Sequence, residues 1–303
     1  MHKKVLITGG AGFIGSHIVD ILLENDYSVV VLDNLSSGTK DNLQNSDNLK
    51  LYCVNIEKDN LDEIFDFEKP DYVIHLAAQT SVNYSITNTY FDADMNIMAT
   101  IRLLDVCRKH NIKKFITASS AAVYGNPKYL PIDENHPTEP MSPYGLSKLT
   151  MEKYIQLSSV PYIIFRFSNV YGPRQKSSKE SGVVAIFNKA MNENAPINIY
   201  GDGTQIRDFI YVEDIANICV KAIKSDVQNE IVNFSTNRGV VLNELFAEMS
   251  QIYNYNQKPN YLPERKGDIK DSILSNKKAL SLFDSISYTK LYDGLNQLKK
   301  IGQ

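Results

Sequence analysis

The chain has 303 residues, of which 43% are hydrophobic and 22% are charged, and its formal net charge is −3. This balance supplies a large core and excludes a disordered or fibrous chain, and the lack of a broad basic field argues against nucleic acid as a partner. No apolar run approaches the roughly 18 residues of a membrane span, so we expect no membrane association.

The cysteines and the N-terminus bear on the compartment. Cys53, Cys107 and Cys219 are widely spaced and form no CxxC pair. An odd, scattered set argues against a disulfide framework and against structural zinc, so we expect free thiols and no metal. Met1–Lys4 leads into an apolar run too short for a signal peptide. We therefore expect a cytoplasmic protein.

The first half of the chain alternates short apolar runs with segments of helical periodicity. The runs predict buried strands at Val5–Ile7, Ser28–Leu32, Lys50–Val54, Tyr72–Leu76, Lys114–Ala118 and Tyr162–Phe167. Helices are predicted between several of them, over Phe13–Asn25 and Met95–Asn111. Such alternation implies parallel strands with helical crossovers, so the predicted fold class is α/β with a doubly wound parallel Rossmann sheet.

After Asn169 this rhythm breaks, and glycine and proline cluster at Gly172–Pro173 and Gly201–Gly203. A predicted helix at Tyr211–Ile223 and a strand at Glu230–Phe234 then return to the sheet. We therefore predict a Rossmann domain of residues 1–168 plus about 211–235, and a smaller C-terminal α/β substrate domain of about 169–210 plus 236–303.

A glycine-rich turn follows the first strand and opens the first helix. Gly9 permits a tight turn, Gly12 lets the backbone approach a pyrophosphate, and Gly15 allows the helix to pack closely on the sheet. The helix N-terminus, beginning with Phe13 and Ile14, offers N–H groups and a positive dipole end to phosphates. In this strand-turn-helix context the motif predicts dinucleotide binding.

Asp33, at the end of the second strand, indicates which dinucleotide. A carboxylate there can bond the adenosine ribose hydroxyls and would repel a 2′-phosphate, and Asn34–Ser37 contains no arginine to accept one. NAD is favoured over NADP. Asn55 and Ile56, after the third strand, are either adenine contacts or a plain strand end.

A tyrosine and a lysine four residues apart form the candidate catalytic pair. Pro143 suits the first turn of a helix, so Tyr144 and Lys148 would share one helix face. A cation beside the phenol, and the charge of oxidised nicotinamide, would lower the pKa of Tyr144 and make it a general base near neutral pH. Ser119 and Ser120 end a strand, where α/β sheets bind ligands, although turn capping accounts for such serines equally well.

Together these motifs resemble the extended short-chain dehydrogenase/reductases, the nucleotide-sugar epimerases and dehydratases in particular. The resemblance covers nearly the whole chain, from the glycine turn to the segments His75–Gln79, Ser119–Gly125, Tyr144–Lys148, Arg166–Pro173, Gly201–Phe209 and Arg265–Asp268. It implies that Ser120 is the catalytic serine, with Tyr144 as base and Lys148 as its helper. One departure is Asn55, where the family usually has Asp, but an amide oxygen can still accept from the adenine amino group.

The resemblance also implies further binding residues. The remaining expected NAD contacts are Asn34, Ser37, Gly38, Leu76, Ala77, Ala78, Gln79 and Asn96. On the substrate side, Arg207 and Arg265 are expected to hold the diphosphate of a nucleotide sugar, since guanidinium bonds phosphate oxygens bidentately. The other expected substrate contacts are Ser81, Asn169, Asp268 and Ser272, with Tyr200 and Tyr211 either beside the nucleotide or in the core.

The residues after Ser120 indicate the reaction. Related 4,6-dehydratases carry an acid–base pair at the positions of Ala121 and Ala122, and decarboxylating relatives keep a Glu at Ala122. Alanine cannot shuttle a proton, so the pattern predicts a 4-epimerase that passes through a 4-keto sugar, with a UDP-hexose as substrate. It would interconvert UDP-glucose and UDP-galactose. The resemblance also implies that Ser272, four residues after Asp268, faces the C2 substituent of the sugar, so this small residue would also admit UDP-GlcNAc and UDP-GalNAc unless it merely starts a strand.

Three alternatives stay open at this level: a nucleotide-sugar reductase, an epimerase of another nucleotide sugar such as UDP-glucuronate, and a non-catalytic dinucleotide-binding protein. The resemblance further implies a homodimer built from helices Met95–Asn111 and Tyr144–Ser158. The apolar positions expected at that interface, some of which core burial explains equally well, are Ile97, Ile101, Leu104, Met151 and Ile155.

Overall fold

The structure, a computed structural model, describes residues 3–177, 182–264 and 269–301. The strands are β1 (Lys4–Thr8), β2 (Ser28–Asp33), β3 (Leu49–Cys53), β4 (Tyr72–His75), β5 (Lys114–Ser120), β6 (Tyr162–Phe167), β7 (Asn169–Tyr171), β8 (Asn198–Tyr200), β9 (Ile206–Tyr211), β10 (Glu230–Phe234), β11 (Gly239–Val241), β12 (Asn260–Leu262) and β13 (Asp271–Ser272). The helices are α1 (Phe13–Glu24), α2 (Asp62–Glu68), α3 (Val82–Thr87), α4 (Thr89–Ala93), α5 (Ala99–Lys109), α6 (Pro143–Leu157), α7 (Val183–Asn192), α8 (Val212–Lys224), α9 (Leu242–Tyr253), α10 (Lys277–Leu282) and α11 (Leu291–Ile301).

A seven-stranded parallel sheet forms the centre of the molecule. Its strand order is β10-β6-β5-β4-β1-β2-β3, and each neighbouring pair runs parallel. The strand order reverses between β1 and β4, which makes the carboxyl ends of these strands the crevice where such sheets bind ligands. The predicted doubly wound Rossmann sheet is confirmed.

Apolar layers cover both faces of this sheet. On one face Ile18 of α1 and Ile215 of α8 pack against the strands. On the other face Phe65, Leu103 and Met151 bring α2, α5 and α6 onto it. Because both faces are covered, the strands of this sheet read as mostly apolar runs in the sequence. β6 and β10 have the predicted bounds.

Most element boundaries lie within two residues of the predicted ones, and two of the differences bear on the site. β5 continues past Ala118 to Ser120. The helix expected from Met95 begins at Thr89 as α4, and a π-helical turn over Asp94–Met98 joins it to α5. Asp92 in this added stretch is polar yet buried, so its buried face lacks the apolar periodicity that would mark a helix.

The later part of the chain adds two smaller sheets. β11, β9 and β13 form one, with β7 also paired to β9, and β8 pairs with β12 in the other. A separate apolar cluster, which includes Phe187, Leu245 and Leu295, packs α7, α9 and α11 around them. Among the described residues, no helix is both long and apolar enough to cross a bilayer.

The core alternative holds for three of the five expected interface positions, which are therefore corrected. Leu104 (6% exposed), Met151 (1%) and Ile155 (0%) lie in the core between α5, α6 and the sheet, so they are not on the surface of this chain. Ile97 and Ile101 are half-buried. Helical spacing alone did not distinguish the face toward the sheet from the outer face.

Candidate active site

The residues expected to act together do meet at the carboxyl ends of β1, β4 and β5. The glycine turn follows β1, Leu76–Gln79 follow β4, and Ser120 ends β5. This is the crevice at which the strand order reverses, so one ligand can contact all three segments.

The glycine turn leaves space that only glycine provides. Gly9 has φ +71°, and a Cβ there would lie 2.7 Å from the amide nitrogen of Ala77. A Cβ at Gly15 would collide with the carbonyl oxygen of Gly9. Gly12 is the N-cap of α1 and provides no side-chain cap, so the first-turn N–H groups of Phe13 and Ile14 remain for a ligand. The turn therefore fits the pyrophosphate of a dinucleotide.

Asp33 holds this turn as well as marking the ribose position. One carboxylate oxygen accepts from Ala11 N at 2.9 Å and the other accepts from Leu35 N at 2.8 Å. A Cβ at Gly38 would lie 2.7 Å from the Ala11 carbonyl, so the loop after β2 packs directly on the glycine turn. Each oxygen of Asp33 keeps a lone pair for a ribose hydroxyl.

The adenine side of the expected site contains a pair of asparagines. Asn34 Nδ2 donates to Asn55 Oδ1 at 2.9 Å, and Asn55 N donates to Asp59 Oδ2 at 2.8 Å. Ile56 beside them is buried. In the loop after β2, which also contains Asn34, Ser37 O accepts a hydrogen bond from Lys176 Nζ at 2.5 Å. The oxygen expected to meet adenine thus already has one donor and retains one lone pair.

The segment after β4 is shaped by two polar side chains. Thr8 Oγ1 accepts from the N–H groups of Leu76 and Ala77 at 3.2 Å each. Asn96, in the π-helical turn, accepts from Gln79 N at 2.9 Å and donates to Gln79 O at 3.1 Å. These hydrogen bonds fix the backbone conformation on either side of Ala78, in the segment where we predicted cofactor contacts.

His75 lies beneath this segment and is neutral. Its Nε2 meets Thr100 Oγ1 at 3.0 Å, and because that hydroxyl donates to Asn96 O, it accepts from the ring. Nδ1 then accepts from Thr8 Oγ1 at 2.7 Å. Burial, aided by the charge of Lys148, lowers the pKa of His75 to about 3. The imidazole therefore supports the site and does not exchange protons near neutral pH.

The three residues expected to be catalytic lie together. The phenol of Tyr144 is hydrogen-bonded to the side chain of Ser120, whose Oγ also accepts from Ala122 N at 3.1 Å. Lys148, one helical turn after Tyr144, donates to the carbonyl of Ala118 at 3.0 Å. The capping alternative thus holds for Ser120, which contacts the phenol as well.

The electrostatics differ from the expectation for Tyr144. Burial raises the pKa of Tyr144 above its ordinary value, the hydrogen bond from Ser120 opposes this, and the charge of Asp92 adds to it. The prediction that Lys148 lowers the pKa of Tyr144 is therefore wrong for the chain alone. Burial lowers the pKa of Lys148 to about 8, against the opposing charges of Asp92 and Glu152. Both groups are thus held in environments that disfavour their charged forms.

Asp92 is a member of the site that sequence reasoning missed. It is buried, and its Oδ1 accepts from Gln79 Nε2 at 2.6 Å and from Asn96 Nδ2 at 3.2 Å. Its spacing of four residues from Asn96 on a helix is the signal that could have found it. Ser81, expected to bind substrate, caps α3 by accepting from Tyr84 N at 3.0 Å.

On the substrate side, strand pairing brings two expected residues together. Arg207 of β9 lies in register with Ser272 of β13, and its guanidinium donates to the carbonyls of Ile269 at 2.6 Å and Lys270 at 2.8 Å. Arg207 and Tyr200 line a cavity of about 100 Å³.

The other expected substrate contacts lie at different depths. Asn169 begins β7, which pairs with β9, and is exposed. Tyr211 is buried and donates to Gln297 at 2.6 Å, so the core alternative holds for it. Arg265 and Asp268 lie outside the described residues.

Comparison with known proteins identifies the family. Residues 5–235 match the NAD-dependent epimerase/dehydratase family. UDP-glucose 4-epimerase of Mycolicibacterium smegmatis is 35% identical over 300 residues, which cover 96% of each chain. The fold and the site define a dinucleotide-binding α/β protein with a Ser–Tyr–Lys constellation. The chain belongs to the NAD-dependent epimerase/dehydratase family.

Two solved structures are similar along almost the whole chain. UDP-glucose 4-epimerase of Thermotoga maritima, with UDP-glucose, has a TM-score of 0.94 and 40% identity, covering 98% of this chain and 97% of that one. UDP-N-acetylglucosamine 4-epimerase of Methanobrevibacter ruminantium, in complex with UDP-N-acetylmuramic acid, has a TM-score of 0.94 and 36% identity, covering 99% and 97%.

Proposed function

We propose that this protein is an NAD-dependent 4-epimerase of UDP-hexoses, interconverting UDP-glucose with UDP-galactose and UDP-GlcNAc with UDP-GalNAc. Two observations together carry the proposal: Ser120 is hydrogen-bonded to Tyr144, and the two residues after Ser120 in the sequence are both alanine. This arrangement moves one proton at one alcohol, and Ala121 and Ala122 supply no carboxyl group at the two positions where related dehydratases carry their acid–base pair. The similarity to two 4-epimerases along almost the whole chain supports the same reaction.

The residues around the glycine turn fit NAD. The turn and the start of α1 would hold the pyrophosphate, Asp33 the adenosine ribose, and Lys148 the nicotinamide ribose. NAD, once bound, supplies the hydride acceptor at the start of the cycle and the hydride donor at its end. The positive charge of bound NAD would also lower the pKa of Tyr144, which burial raises in the chain alone.

The chain's own groups then handle the proton and the sugar. Tyr144 Oη removes the proton from the C4 hydroxyl, and Ser120 Oγ donates a hydrogen bond to the C4 oxygen as it becomes a carbonyl. Charged Lys148 stabilises the phenolate. The 4-keto sugar turns over while Arg207 and Arg265 hold its diphosphate, and Tyr144 returns the proton after reduction on the opposite face. The net redox change is zero.

The three alternative functions differ from the proposed one in cofactor release, in their need for the catalytic residues, or in the substrate. A nucleotide-sugar reductase would use the same three residues and release its cofactor at each turnover. A non-catalytic dinucleotide-binding protein would need none of Ser120, Tyr144 and Lys148. An epimerase of another nucleotide sugar, such as UDP-glucuronate, would share the whole site and differ around Ser272.

The deciding experiment uses purified protein without added cofactor. Bound NAD(H) is released by denaturation and quantified, and UDP-glucose is incubated with the intact protein while UDP-galactose is measured. We expect about one cofactor per chain and epimerisation that needs no added NAD. Activity that requires a stoichiometric reductant would instead identify a reductase, and UDP-glucuronate as the only substrate turned over would move the proposal to that sugar.

We further propose a homodimer in the cytoplasm. Exposed apolar side chains follow one face of α6 at Leu146 (56% exposed), Tyr154 (45%) and Leu157 (85%), and Met98 (52%) precedes the neighbouring α5. Pairing these helices about a twofold axis would cover that face. The three cysteines are free thiols, two of them buried, which suits a reducing compartment.

A further inference from the structure

The end of β5 is held by two side chains from α6, one turn apart. Lys148 Nζ donates to the carbonyl of Ala118, and Ser119 Oγ donates to Glu152 Oε1. Ser120, whose hydroxyl meets the phenol of Tyr144, is the next residue along the strand. Both bonds to α6 therefore act on the backbone immediately before Ser120.

Glu152 is itself fixed from a second direction. It is fully buried, and Arg166 of β6 donates to both of its oxygens, from Nε at 2.9 Å and from Nη2 at 2.6 Å. The strand register places Ser119 beside this ion pair, because Ser119 lies directly opposite Arg166 in the β5–β6 pair. Such a two-point fork prevents the carboxylate from rotating.

The far side of Arg166 is also occupied. Its Nη1 donates to Tyr124 Oη at 2.8 Å, and that phenol donates to Asn233 Oδ1 at 2.7 Å. The guanidinium lies over the Tyr124 ring, 4.8 Å from its centroid. A buried ion pair with this many partners is rigid, so Glu152 presents its oxygen to Ser119 in one orientation.

We propose that Ser119 and Glu152 are positioning residues for the reaction, which hold Ser120 so that its hydroxyl meets both Tyr144 and the C4 oxygen of the sugar. The proposal rests on the proposed epimerase function of the same site. Ser119 touches no reacting atom: its hydroxyl is buried, at 4% exposure, and is used by Glu152. Its contribution to rate is therefore transmitted through Ser120.

The test variant is Ser119→Ala, because Glu152→Gln would leave the buried Arg166 guanidinium partly unpaired and endanger folding. We expect Ser119→Ala to lower kcat about 10-fold, since misplacement of a catalytic group by a fraction of an ångström has costs of this order. KM and the content of bound NAD should stay within about twofold of wild type, because the variant alters neither binding surface. Ser119→Thr, which keeps the hydroxyl, should recover most of the rate.

A double-mutant cycle separates positioning from general destabilisation. If Ser119 acts through Ser120, then Ser119→Ala should have no further effect on kcat in a Ser120→Ala background. Ser158→Ala is the matched control, since it removes a hydroxyl that donates to a backbone carbonyl, Ile155 O at 2.7 Å, just after α6. That variant should keep the wild-type kcat.

Two results would overturn the proposal. One is a wild-type kcat for Ser119→Ala, and the other is a loss that is equally large with and without Ser120. Absence of epimerase activity in the wild-type protein would instead count against the proposed function, so the two failures are distinguishable.

Discussion

Ser272 lies directly opposite Arg207 where β13 runs parallel to β9. Side chains of paired residues in neighbouring strands point to the same face of a sheet, so Ser272 shares the face of an arginine expected to hold the substrate diphosphate. In the proposed epimerase, the residue at this position is expected to limit the size of the sugar that the diphosphate carries.

Ser272→Tyr should suppress turnover of UDP-GlcNAc and spare UDP-glucose. The larger side chain would collide with an acetamido group, and overpacking of about 1–3 kcal/mol corresponds to roughly a 5- to 150-fold lower kcat/KM. Both substrates are assayed in parallel, with Ser272→Ala as the small control. A wild-type enzyme that turns over UDP-glucose readily and leaves UDP-GlcNAc untouched would contradict the size argument.

Tyr144→Phe should keep the fold and the bound NAD while kcat falls by about 10²–10⁴-fold, because a positioned general base contributes that much. Single-turnover and steady-state rates measure the loss. Tyr90→Phe, on an 85% exposed side chain of α4, is the control for removing a phenol hydroxyl. A wild-type rate for Tyr144→Phe would remove Tyr144 from its role.

The rate should depend on the charge of Lys148. Burial lowers the pKa of Lys148 to about 8, so kcat should fall as the pH rises above about 8 and the ammonium that stabilises a phenolate is lost. In Lys148→Arg the overall rate should drop, but this alkaline limb should move to higher pH, because guanidinium stays charged. If kcat of Lys148→Arg declines over the same pH range as kcat of the wild-type protein, the titrating group is not Lys148.

Glu68 should stabilise the fold from the end of the sheet remote from the active site. Burial would raise its pKa, but hydrogen bonds from Lys4 at 2.7 Å, Tyr52 at 2.6 Å and Lys50 at 3.0 Å outweigh burial and lower the pKa of Glu68 to about 2. A carboxyl whose folded pKa is depressed contributes stability above its unfolded pKa of about 4.3 and loses it as the pH falls toward that of the folded state.

Glu68→Gln should therefore lower the free energy of unfolding near pH 7 by about 3 kcal/mol and flatten its decline between pH of about 4 and 2. Urea unfolding at several pH values measures both effects. Glu63→Gln, on the exposed side of the same helix α2, should change stability by less than about 0.5 kcal/mol. Equal losses for the two variants would contradict the role of Glu68.

The proposed dimer should depend on the outer face of α6. Tyr154→Asp places a charge in the proposed interface and should shift the mass measured by light scattering at micromolar concentration from dimer to monomer. Tyr292→Asp, on an exposed side chain of α11, should leave the mass unchanged. A monomeric wild-type protein would refute the dimer.

Much of the fold and the site follows from local sequence. β6 and β10 have the predicted bounds because strands covered on both faces are mostly apolar, even though Arg166 and Asn233 are buried within them. The glycine turn was predictable because the positive φ of Gly9 and the close approach at Gly15 exclude any side chain. Tyr144 and Lys148 follow from helix geometry, since a spacing of four residues defines one helix face.

Other features depend on which elements pack together, and only the tertiary structure decides them. Ser119 and Ser120 are adjacent and chemically identical, yet one contacts Glu152 and the other Tyr144, because α6 crosses β5 at that place. Met151 lies in the core and Tyr154 on the surface although both belong to α6. The pKa of Tyr144 is raised because neighbours distant in sequence remove its water, and spacing along the chain carries no information about that burial.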